Sequence, residues 1–153
     1  MRFFIIIIFI LSCNSINAET CKWWFQRYGW KNFTVSEVEE CLKNGSPIIA
    51  DVEGGESPLH IAAEVNSDPE VLLRLIRSGA EINGKTKKGW TPLHSAARFN
   101  PNPEILLTLI DAGANIDAKT KSGKTFIFWM EKNSEIKKTI GYIELINLYD
   151  LSK

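Results

Sequence analysis

The sequence predicts an all-α solenoid, in which helix-turn-helix units of about 34 residues stack side by side. An internal repeat is the first reason, because residues 56–89 match residues 90–123 at 19 of 34 positions. A fixed period of this length without low complexity is typical of stacked repeats. Each copy also holds two apolar runs that follow helix-capping residues, and weaker copies flank the pair. We therefore expect about four units, near 22–55, 56–89, 90–123 and 124–153.

The first helix of each central unit is predicted from a capping residue and a proline. Ser57 and Thr91 can accept hydrogen bonds from the free N–H groups of a helix start. Pro58 and Pro92 follow in the first turn, where the missing N–H of proline costs little. An Ala-Ala pair lies further along both copies. It makes one side of the helix thin, so that a neighbouring helix can approach closely.

The second helix of each central unit has both start and stop signals. The stretches DPE at 68–70 and NPE at 102–104 each supply a cap, a proline and an acidic first turn. The apolar residues that follow are spaced to form one buried stripe. Gly79 and Gly113 then supply the left-handed residue that ends such a helix. A polar stretch after each glycine turns the chain into the next unit.

These motifs resemble the ankyrin repeat. The stretches SPLHIAA at 57–63 and TPLHSAA at 91–97 match its T-P-L-H-x-A-A pattern, and the G-A pairs that end the second helices match its closing pattern. The period is 34 instead of 33, because one extra residue lies between the helices. The resemblance implies a stacked helical array that serves as a recognition scaffold for proteins, with no single enzymatic activity.

His60 and His94 are the only histidines of the chain. They recur because their repeat recurs, so the sequence does not predict a catalytic or metal-binding pair. The family resemblance implies that each histidine forms local hydrogen bonds and braces its own turn. We expect both to be structural, since a histidine needs correctly placed partners before it can act as acid, base or ligand.

A degenerate copy of the repeat precedes the central units. Residues 38–48 align with the second helix of the next unit, which predicts a helix at about 34–43. Thr34 or Ser36 would be its cap. The segment 21–33 would form the first helix, although it lacks the T-P-L-H pattern.

The fourth unit is degenerate as well. It keeps a threonine cap at Thr125 but reads FIFWM where the others read PLHIA or PLHSA, and its tail at 133–153 predicts one more amphipathic helix. Atypical ends are needed because an interior unit buries a face that it cannot cover alone. Aromatic residues could cover the two ends, or alternatively form a sugar- or membrane-binding patch at the first. These capping candidates are Trp23, Trp24, Phe25, Tyr28, Trp30 and Phe33 at one end, and Phe126, Phe128, Trp129, Tyr142 and Leu145 at the other.

The N-terminus has the layout of a secretory signal peptide. Arg2 is followed by an unbroken apolar run at 3–11 and then by a polar stretch that ends at Ala18. This run is too short to span a bilayer core of about 30 Å. We expect cleavage after Ala18, which leaves residues 19–153 as an exported domain, periplasmic or secreted. The alternative is a lipoprotein anchored at Cys13.

Cys21 and Cys41 are predicted to form a disulfide, because an isolated pair of cysteines in an exported chain favours a bridge. A metal site would need two further ligands, and a C-x-x-C redox pattern is absent. The bridge would join the two helices of the terminal unit. It would close a loop of about 20 residues, which a chain-entropy treatment values at about 3 kcal/mol.

A more specific resemblance covers nearly all of the exported domain. Small exported ankyrin proteins of proteobacteria share an opening C-x-W, a segment with a V-x-x-C-L-x-x-G pattern, and a closing N-x-x-L-K-x-T-x-x-Y-x-x-L-N. Similar stretches occur here at 21–23, 33–46 and 133–147. Ser46 and Pro47 depart from the pattern at the first turn without changing the register.

Composition and motifs give no support to several classes of protein. Lysine and arginine number 18, as do aspartate and glutamate, which gives no reason to expect nucleic acid as a partner. Patterns for serine hydrolases, zinc proteases, P-loops and dinucleotide binding are absent. Asp51, Glu53 and Glu56 lack the spacing of a calcium loop and indicate a solvated turn. We expect no enzyme, no cofactor and no metal.

The family resemblance places binding on the turn tips and the first helices, which together line a concave face. The candidate residues at the tips are Lys85, Lys87, Lys88 and Trp90 in one turn, and Lys119, Lys121 and Lys124 in the next. Those on the helices are Ile61, Glu64, Val65, Ser95, Arg98 and Phe99. The lysines suit an acidic protein surface, or alternatively only keep the turns soluble. Trp90 and Phe99 are candidate hot spots.

The sequence therefore predicts an exported, non-catalytic and monomeric scaffold that binds another protein through its concave face and turn tips. An alternative is an immunity-, inhibitor- or chaperone-like protein with one cognate exported client. The identity of the partner is not encoded in any motif of the chain.

Overall fold

The computed structural model describes residues 21, 24–49 and 54–151 of the 153-residue chain. The expected signal peptide at 1–18 with Cys13, the capping candidate Trp23 and the turn residues Asp51 and Glu53 lie outside the described residues. The described part forms eight α-helices and one 3-10 helix. They are α1 (Arg27–Trp30), α2 (Val35–Lys43), α3 (Pro58–Val65), α4 (Pro69–Arg77), α5 (Pro92–Phe99), α6 (Pro103–Asp111), α7 (Phe126–Met130), the 3-10 helix (Ile136–Lys138) and α8 (Ile140–Leu151).

The helices stack in two layers. The first helices of the units, α1, α3, α5 and α7, pack in sequence against one another, and the second helices, α2, α4, α6 and α8, do the same. The Ala-Ala pairs at 62–63 and 96–97 are fully buried at the close approach of the first helices. Leu72, Leu75 and Leu106 of the second helices are fully buried as well. The predicted all-helical solenoid is confirmed.

The two histidines join each unit to the next in the same way. Nε2 of His60 lies 3.1 Å from the carbonyl oxygen of Trp90. A carbonyl can only accept, so Nε2 carries the proton and Nδ1 is left as an acceptor. Nδ1 accepts from the backbone N–H of Ser57 at 3.2 Å, and the Ser57 hydroxyl lies 2.8 Å from the same nitrogen. In the next unit His94 forms the equivalent bonds to Lys124, Thr91 N–H and the Thr91 hydroxyl.

Three buried asparagines form a second set of links, which the sequence reasoning missed. Asn66 and Asn100 directly follow a first helix, and Asn133 lies three residues after the end of α7. The side-chain amide of Asn100 donates to the carbonyls of Ala63 at 3.0 Å and Asn66 at 2.8 Å, both in the preceding unit. Its side-chain oxygen accepts from the backbone N–H of Asn102 at 2.9 Å. Asn66 and Asn133 repeat this arrangement. One side chain thus satisfies backbone groups of two units.

The second helices begin and end at the capping residues and glycines that the sequence predicts. Asp68 accepts from the backbone N–H of Glu70 at 3.0 Å, and Asn102 does the same for Glu104 at 3.1 Å. Gly79 follows α4 with a φ of +100°, and Gly113 follows α6 with a φ of +99°. Both values lie in the left-handed region that glycine adopts without steric cost. Pro58 and Pro92 are the first residues of α3 and α5.

The loops between units stack on one another through their backbones. The N–H of Lys87 donates to the carbonyl of Gly54 at 3.0 Å, and the N–H of Lys121 donates to that of Lys88 at 3.0 Å. A Cβ atom on Gly89 would lie 2.9 Å from the backbone nitrogen of Lys121. The loop tips are therefore packed closely enough to hold their side chains in a fixed row.

The first unit is closed by a disulfide and a capping box. The sulfurs of Cys21 and Cys41 are bonded, with their Cα atoms 5.4 Å apart, so the predicted bridge is present. Thr34, and not Ser36, caps α2, because its backbone N–H donates to the Glu37 carboxylate at 2.8 Å while its hydroxyl accepts from the Glu37 N–H. The first helix is only four residues long, much shorter than the segment expected to form it.

The C-terminal tail differs from the single amphipathic helix that we expected. Thr139 has extended backbone angles and separates the 3-10 helix from α8. The side-chain oxygen of Asn133 accepts from the backbone N–H groups of Glu135 and Ile136, which turns the chain before α8 begins. The prediction of amphipathicity was also wrong, because α8 carries apolar side chains on both of its faces.

The aromatic residues at the ends divide into buried and exposed ones. Trp24, Trp30 and Phe33 are buried together, with ring centroids 4.9 Å apart in the Trp24–Trp30 and Trp30–Phe33 pairs. Tyr28 is 89% exposed and covers nothing, because its position on α1 points away from the core. At the other end Phe126 and Leu145 are buried, whereas Phe128, Trp129 and Tyr142 are half-buried.

Candidate binding groove

A groove with a volume of about 470 Å³ lies where the loop tips meet the first helices. It draws on three units, because α1, α3 and α5 and the two preceding loops all contribute to it. The residues that line it are Arg27, Gly54, Glu56, Glu64, Thr86, Lys87, Lys88, Trp90, Ser95 and Phe99.

One wall of the groove is a closed ion-pair cluster. Nε of Arg27 donates to the Glu64 carboxylate at 2.6 Å, and one of its Nη atoms donates to the Glu56 carboxylate at 3.0 Å. The hydrogen bond from Glu64 raises the pKa of the Arg27 guanidinium above its ordinary value, against the effect of partial burial. These two carboxylates are therefore already paired with a cation, and they are poorly placed to receive a second one.

The floor of the groove is aromatic. The ring of Trp90 stacks on Phe99 at 5.9 Å between centroids, and it meets Trp129 of the next unit at 4.6 Å. Phe99 is 50% exposed, which is unusual for a large apolar side chain of this chain. Such rings supply a large apolar contact area with little loss of side-chain entropy on binding.

The rim of the groove carries two unpaired cations. The side chains of Lys87 and Lys88 are exposed, and in the described part of the chain neither forms an ion pair or a hydrogen bond. Their backbones are held by the loop stack, which places the two side chains at the edge of the groove. An aromatic floor below two free cations suits an apolar side chain that is flanked by negative charge.

The other predicted binding residues lie elsewhere. Lys85 lines a separate and much smaller cleft beside His60. Lys119 and Lys121 are exposed in the next loop, outside the groove. Arg98 donates to the carbonyl of Lys132 at 3.2 Å and lies over the Phe99 ring, 5.4 Å from its centroid.

Two further positions show where the sequence reasoning was incomplete. Ile61, expected on the concave face, is buried in the core. Arg27, on the short first helix of the degenerate first unit, was not considered. Its neighbours carry no T-P-L-H signature, so no local pattern placed Arg27 in the groove.

The histidines do not form part of the groove. Burial lowers the pKa of His60 below its ordinary value, and the hydrogen bond to the Trp90 carbonyl opposes this only in part. Burial likewise lowers the pKa of His94, against the hydrogen bond to the Lys124 carbonyl. Within the described ranges no three His, Cys, Asp or Glu side chains converge on a point that could hold a metal ion. None of the helices in those ranges has the length and apolar character needed to cross a membrane.

Comparison with known proteins agrees with the fold. No curated protein matches the chain. A family model described as ankyrin repeats in three copies matches residues 7–120, well over half of the chain. The match begins inside the segment interpreted as a signal peptide, and cleavage after Ala18 stays a prediction. Repeats of this family are generally scaffolds for protein–protein interaction. With its stacked helix pairs and this match, the chain belongs to the ankyrin-repeat family.

Proposed function

We propose that this chain is an exported, non-catalytic scaffold that binds a partner protein in the groove. The partner presents an acidic segment with an apolar anchor. The anchor side chain packs on Phe99 and Trp90, and the carboxylates of the segment pair with Lys87 and Lys88. The remainder of the loop row extends the contact without setting its specificity.

The observation that carries this proposal is the pairing pattern of the charges. Arg27 pairs with Glu64 at 2.6 Å and with Glu56 at 3.0 Å, while Lys87 and Lys88 have no side-chain partner among the described residues. The groove therefore offers free positive charge beside exposed aromatic surface. Opposite charge on a partner would speed its encounter, and the apolar anchor would supply most of the affinity.

Export rests on the N-terminal pattern of Arg2, the apolar run at 3–11 and the polar stretch to Ala18. The Cys21–Cys41 disulfide supports it, because such bridges persist in oxidising compartments. Mass spectrometry of the purified protein tests it directly. A mature chain that begins at Glu19 fits the proposal, and a lipid-modified Cys13 would show membrane anchoring instead.

A photo-crosslinking experiment tests the groove. A photoreactive phenylalanine analogue replaces Phe99, and the protein is irradiated in the cells that produce it. We expect a covalent adduct with a partner protein, identified by mass spectrometry. Ile49 is also exposed but lies outside the groove, so the same analogue at position 49 gives the background.

Charge reversal tests the chemistry of the partner. The double variant K87E/K88E should remove most of the adduct at position 99, because two attractive contacts become repulsive. The matched variant K119E/K121E changes the same charge in the next loop, outside the groove, and should retain the adduct. Equal losses in both would indicate a general effect of positive charge and contradict the groove proposal, as would an adduct no stronger than that at position 49.

The number of crosslinked partners distinguishes a general binding module from the alternative of a single cognate client. Several partners would favour the module. One stoichiometric partner would favour an immunity- or inhibitor-like role.

A further inference from the structure

The C-terminal helix α8 has two apolar faces, and only one of them is used within the chain. Leu145 on the inner face is fully buried, and Tyr142, Ile146 and Tyr149 pack against the core. The opposite face forms a shallow groove of about 430 Å³. It is lined by Ile140, Ile143, Glu144, Asn147, Leu148 and Leu151, and we call these six residues the outer face of α8.

The outer face carries most of the large exposed apolar side chains of the described chain. Among the described residues, seven large hydrophobic side chains are exposed, and four of them belong to this face. Ile140 and Leu151 are each 88% exposed, and Ile143 is 62% exposed. A helix that is apolar around its whole circumference is normally buried. A cluster of exposed apolar side chains is typical of an interaction surface, whereas single exposed hydrophobic residues are common on any protein.

The outer face of α8 lies on the side of the helix that no other second helix covers. Within the second-helix layer α2, α4, α6 and α8 pack in series, and α8 is the last of them. Its outer face is thus the place where a further second helix would pack if the array continued. The face continues an existing helix-on-helix interface and is ready to accept another helix.

We propose that the outer face of α8 binds the same face of a second copy of this chain, with the two helices antiparallel. Under a two-fold axis at the midpoint of α8, Ile140 lies opposite Leu151 of the partner copy, and Ile143 lies opposite Leu148. Glu144 lies opposite Asn147, whose amide can donate to the carboxylate. Each apolar side chain meets an apolar one, and no like charges meet. Such self-complementarity is what an isologous interface requires.

The size of the face sets the strength of this dimer. A helix of 12 residues is roughly 18 Å long, so the interface is much smaller than the ~800 Å² per partner of a stable complex. We therefore expect a reversible dimer with a dissociation constant between about 1 µM and about 1 mM. This proposal differs from the monomer expected from the sequence, and the oligomeric state decides between them.

Sedimentation analysis of the purified protein over a range of concentrations tests the dimer. The average mass of the wild-type protein should rise toward twice the monomer value as the concentration approaches about 1 mM. The variant I143K/L148K places a lysine opposite a lysine of the partner copy and should stay monomeric. Both positions are exposed, so circular dichroism should show an unchanged fold.

The matched control is Y28K/I49K. It also introduces two lysines at exposed apolar positions, but outside α8, and it should dimerise like the wild type. A wild-type protein that stays monomeric at about 1 mM would overturn the proposal and assign the face to a different protein. A dimer retained by I143K/L148K would overturn it too, because the copies would then meet elsewhere.

Cysteine crosslinking tests the antiparallel register. Position 143 should face position 148 of the other copy and not itself. Mixing I143C protein with L148C protein should therefore give several-fold more crosslinked dimer than either variant alone. Equal crosslinking of the single variants with themselves would contradict the two-fold axis proposed here.

Discussion

The two ends of the array meet the same problem in different ways. Every interior unit of a solenoid is covered on both sides, whereas each terminal unit has one open side. At the N-terminal end, Trp24, Trp30 and Phe33 are buried and a disulfide joins Cys21 to Cys41. At the C-terminal end the sequence offers no cysteine, and α8 turns an apolar face to the solvent.

One end is thus closed by buried aromatic residues and a disulfide, whereas the other leaves an apolar helix face exposed. The side chains on α2 that are most exposed, Ser36 and Lys43, are polar. Those of α8 are mainly isoleucine and leucine. The closed end also supports the groove, because Arg27 stands on α1, within the segment that the disulfide ties down. Four experiments test this contrast between the ends, and the largest effect is expected from the disulfide.

Removal of the disulfide should have the largest effect. In the variant C21S/C41S we expect the free energy of unfolding to fall by about 3 kcal/mol, since the bridge closes a loop of about 20 residues in the unfolded chain. Urea denaturation measures the loss. Hydrogen exchange should locate it, because units of a repeat array contact only their neighbours. Amides of α1 and α2 should lose protection first.

The same variant should leave the distant units nearly intact. Amides of α6 and α8 should exchange at rates close to those of the oxidised protein, and wild-type protein treated with a reductant should behave like the variant. A uniform loss of protection along the chain would mean that the disulfide does not act on the first unit alone.

Loss of the asparagine link at the same end should have the next largest effect. The amide of Asn66 donates to the carbonyls of Trp30 at 2.7 Å and Phe33 at 2.9 Å, which ties the first unit to the second. Asn66→Ala leaves these carbonyls without that partner in a buried setting, and should cost about 2 kcal/mol of unfolding free energy in urea titrations.

Two variants serve as references for that experiment. Asn32→Ala changes an exposed asparagine and should stay within about 0.5 kcal/mol of the wild type. Asn133→Ala breaks the equivalent link at the C-terminal end and should cost a similar amount to Asn66→Ala. A cost for Asn66→Ala as small as that for Asn32→Ala would show that the buried amide does not hold the units together.

The long-range hydrogen bonds of the buried asparagines could not be predicted from the sequence. Caps, prolines and glycines such as Pro58 and Gly79 act within a few residues, so their roles can be deduced from local pattern. The bonds of Asn66 reach 36 and 33 residues back along the chain, and no local pattern specifies them. Its recurrence at position 100 was visible in the repeat alignment and was the one available signal.

The groove and the outer face of α8 were predicted less well for a related reason. Trp90, Phe99, Lys87 and Lys88 could be placed because the repeat fixes their position relative to a known turn. The Arg27 ion pairs depend on how a degenerate first unit packs on the second. The tail was predicted to form an amphipathic helix, whereas both faces of α8 are apolar, so the sequence did not reveal an exposed apolar face there.

Acid should weaken the two central units of the array before the first unit. Burial lowers the pKa of His60 and of His94 in the folded state below the unfolded value of about 6.5. Stability is therefore complete above that pH and falls as the pH drops toward the folded pKa, because only the unfolded state takes up the proton there. Each histidine should contribute a slope of at most about 1.4 kcal/mol per pH unit.

Urea denaturation between pH 7.5 and 5.5 measures this slope, and hydrogen exchange locates its origin. A protonated Nδ1 could no longer accept from the backbone N–H of Ser57 or Thr91, so the starts of α3 and α5 should loosen, while Nε2–H can still donate to the next unit. The first unit has no histidine and should keep its protection longest. His60→Gln and His94→Gln should each reduce the slope, and a slope unchanged in both variants would assign it to other groups.

The smallest effect concerns the seating of α8 on the array. A Cβ atom on Gly141 would lie 2.6 Å from side-chain atoms of Pro103, a rigid ring at the start of α6. Gly141→Ala would raise helix propensity, by up to about 1 kcal/mol, but overpacking costs typically 1–3 kcal/mol. We therefore expect a net loss of about 1 kcal/mol in urea denaturation. Since the outer face of α8 would remain intact, the variant should still dimerise in sedimentation experiments. A stabilised variant would show that α8 can move away from Pro103 at little cost, and that the open end of the array is held more loosely than the closed one.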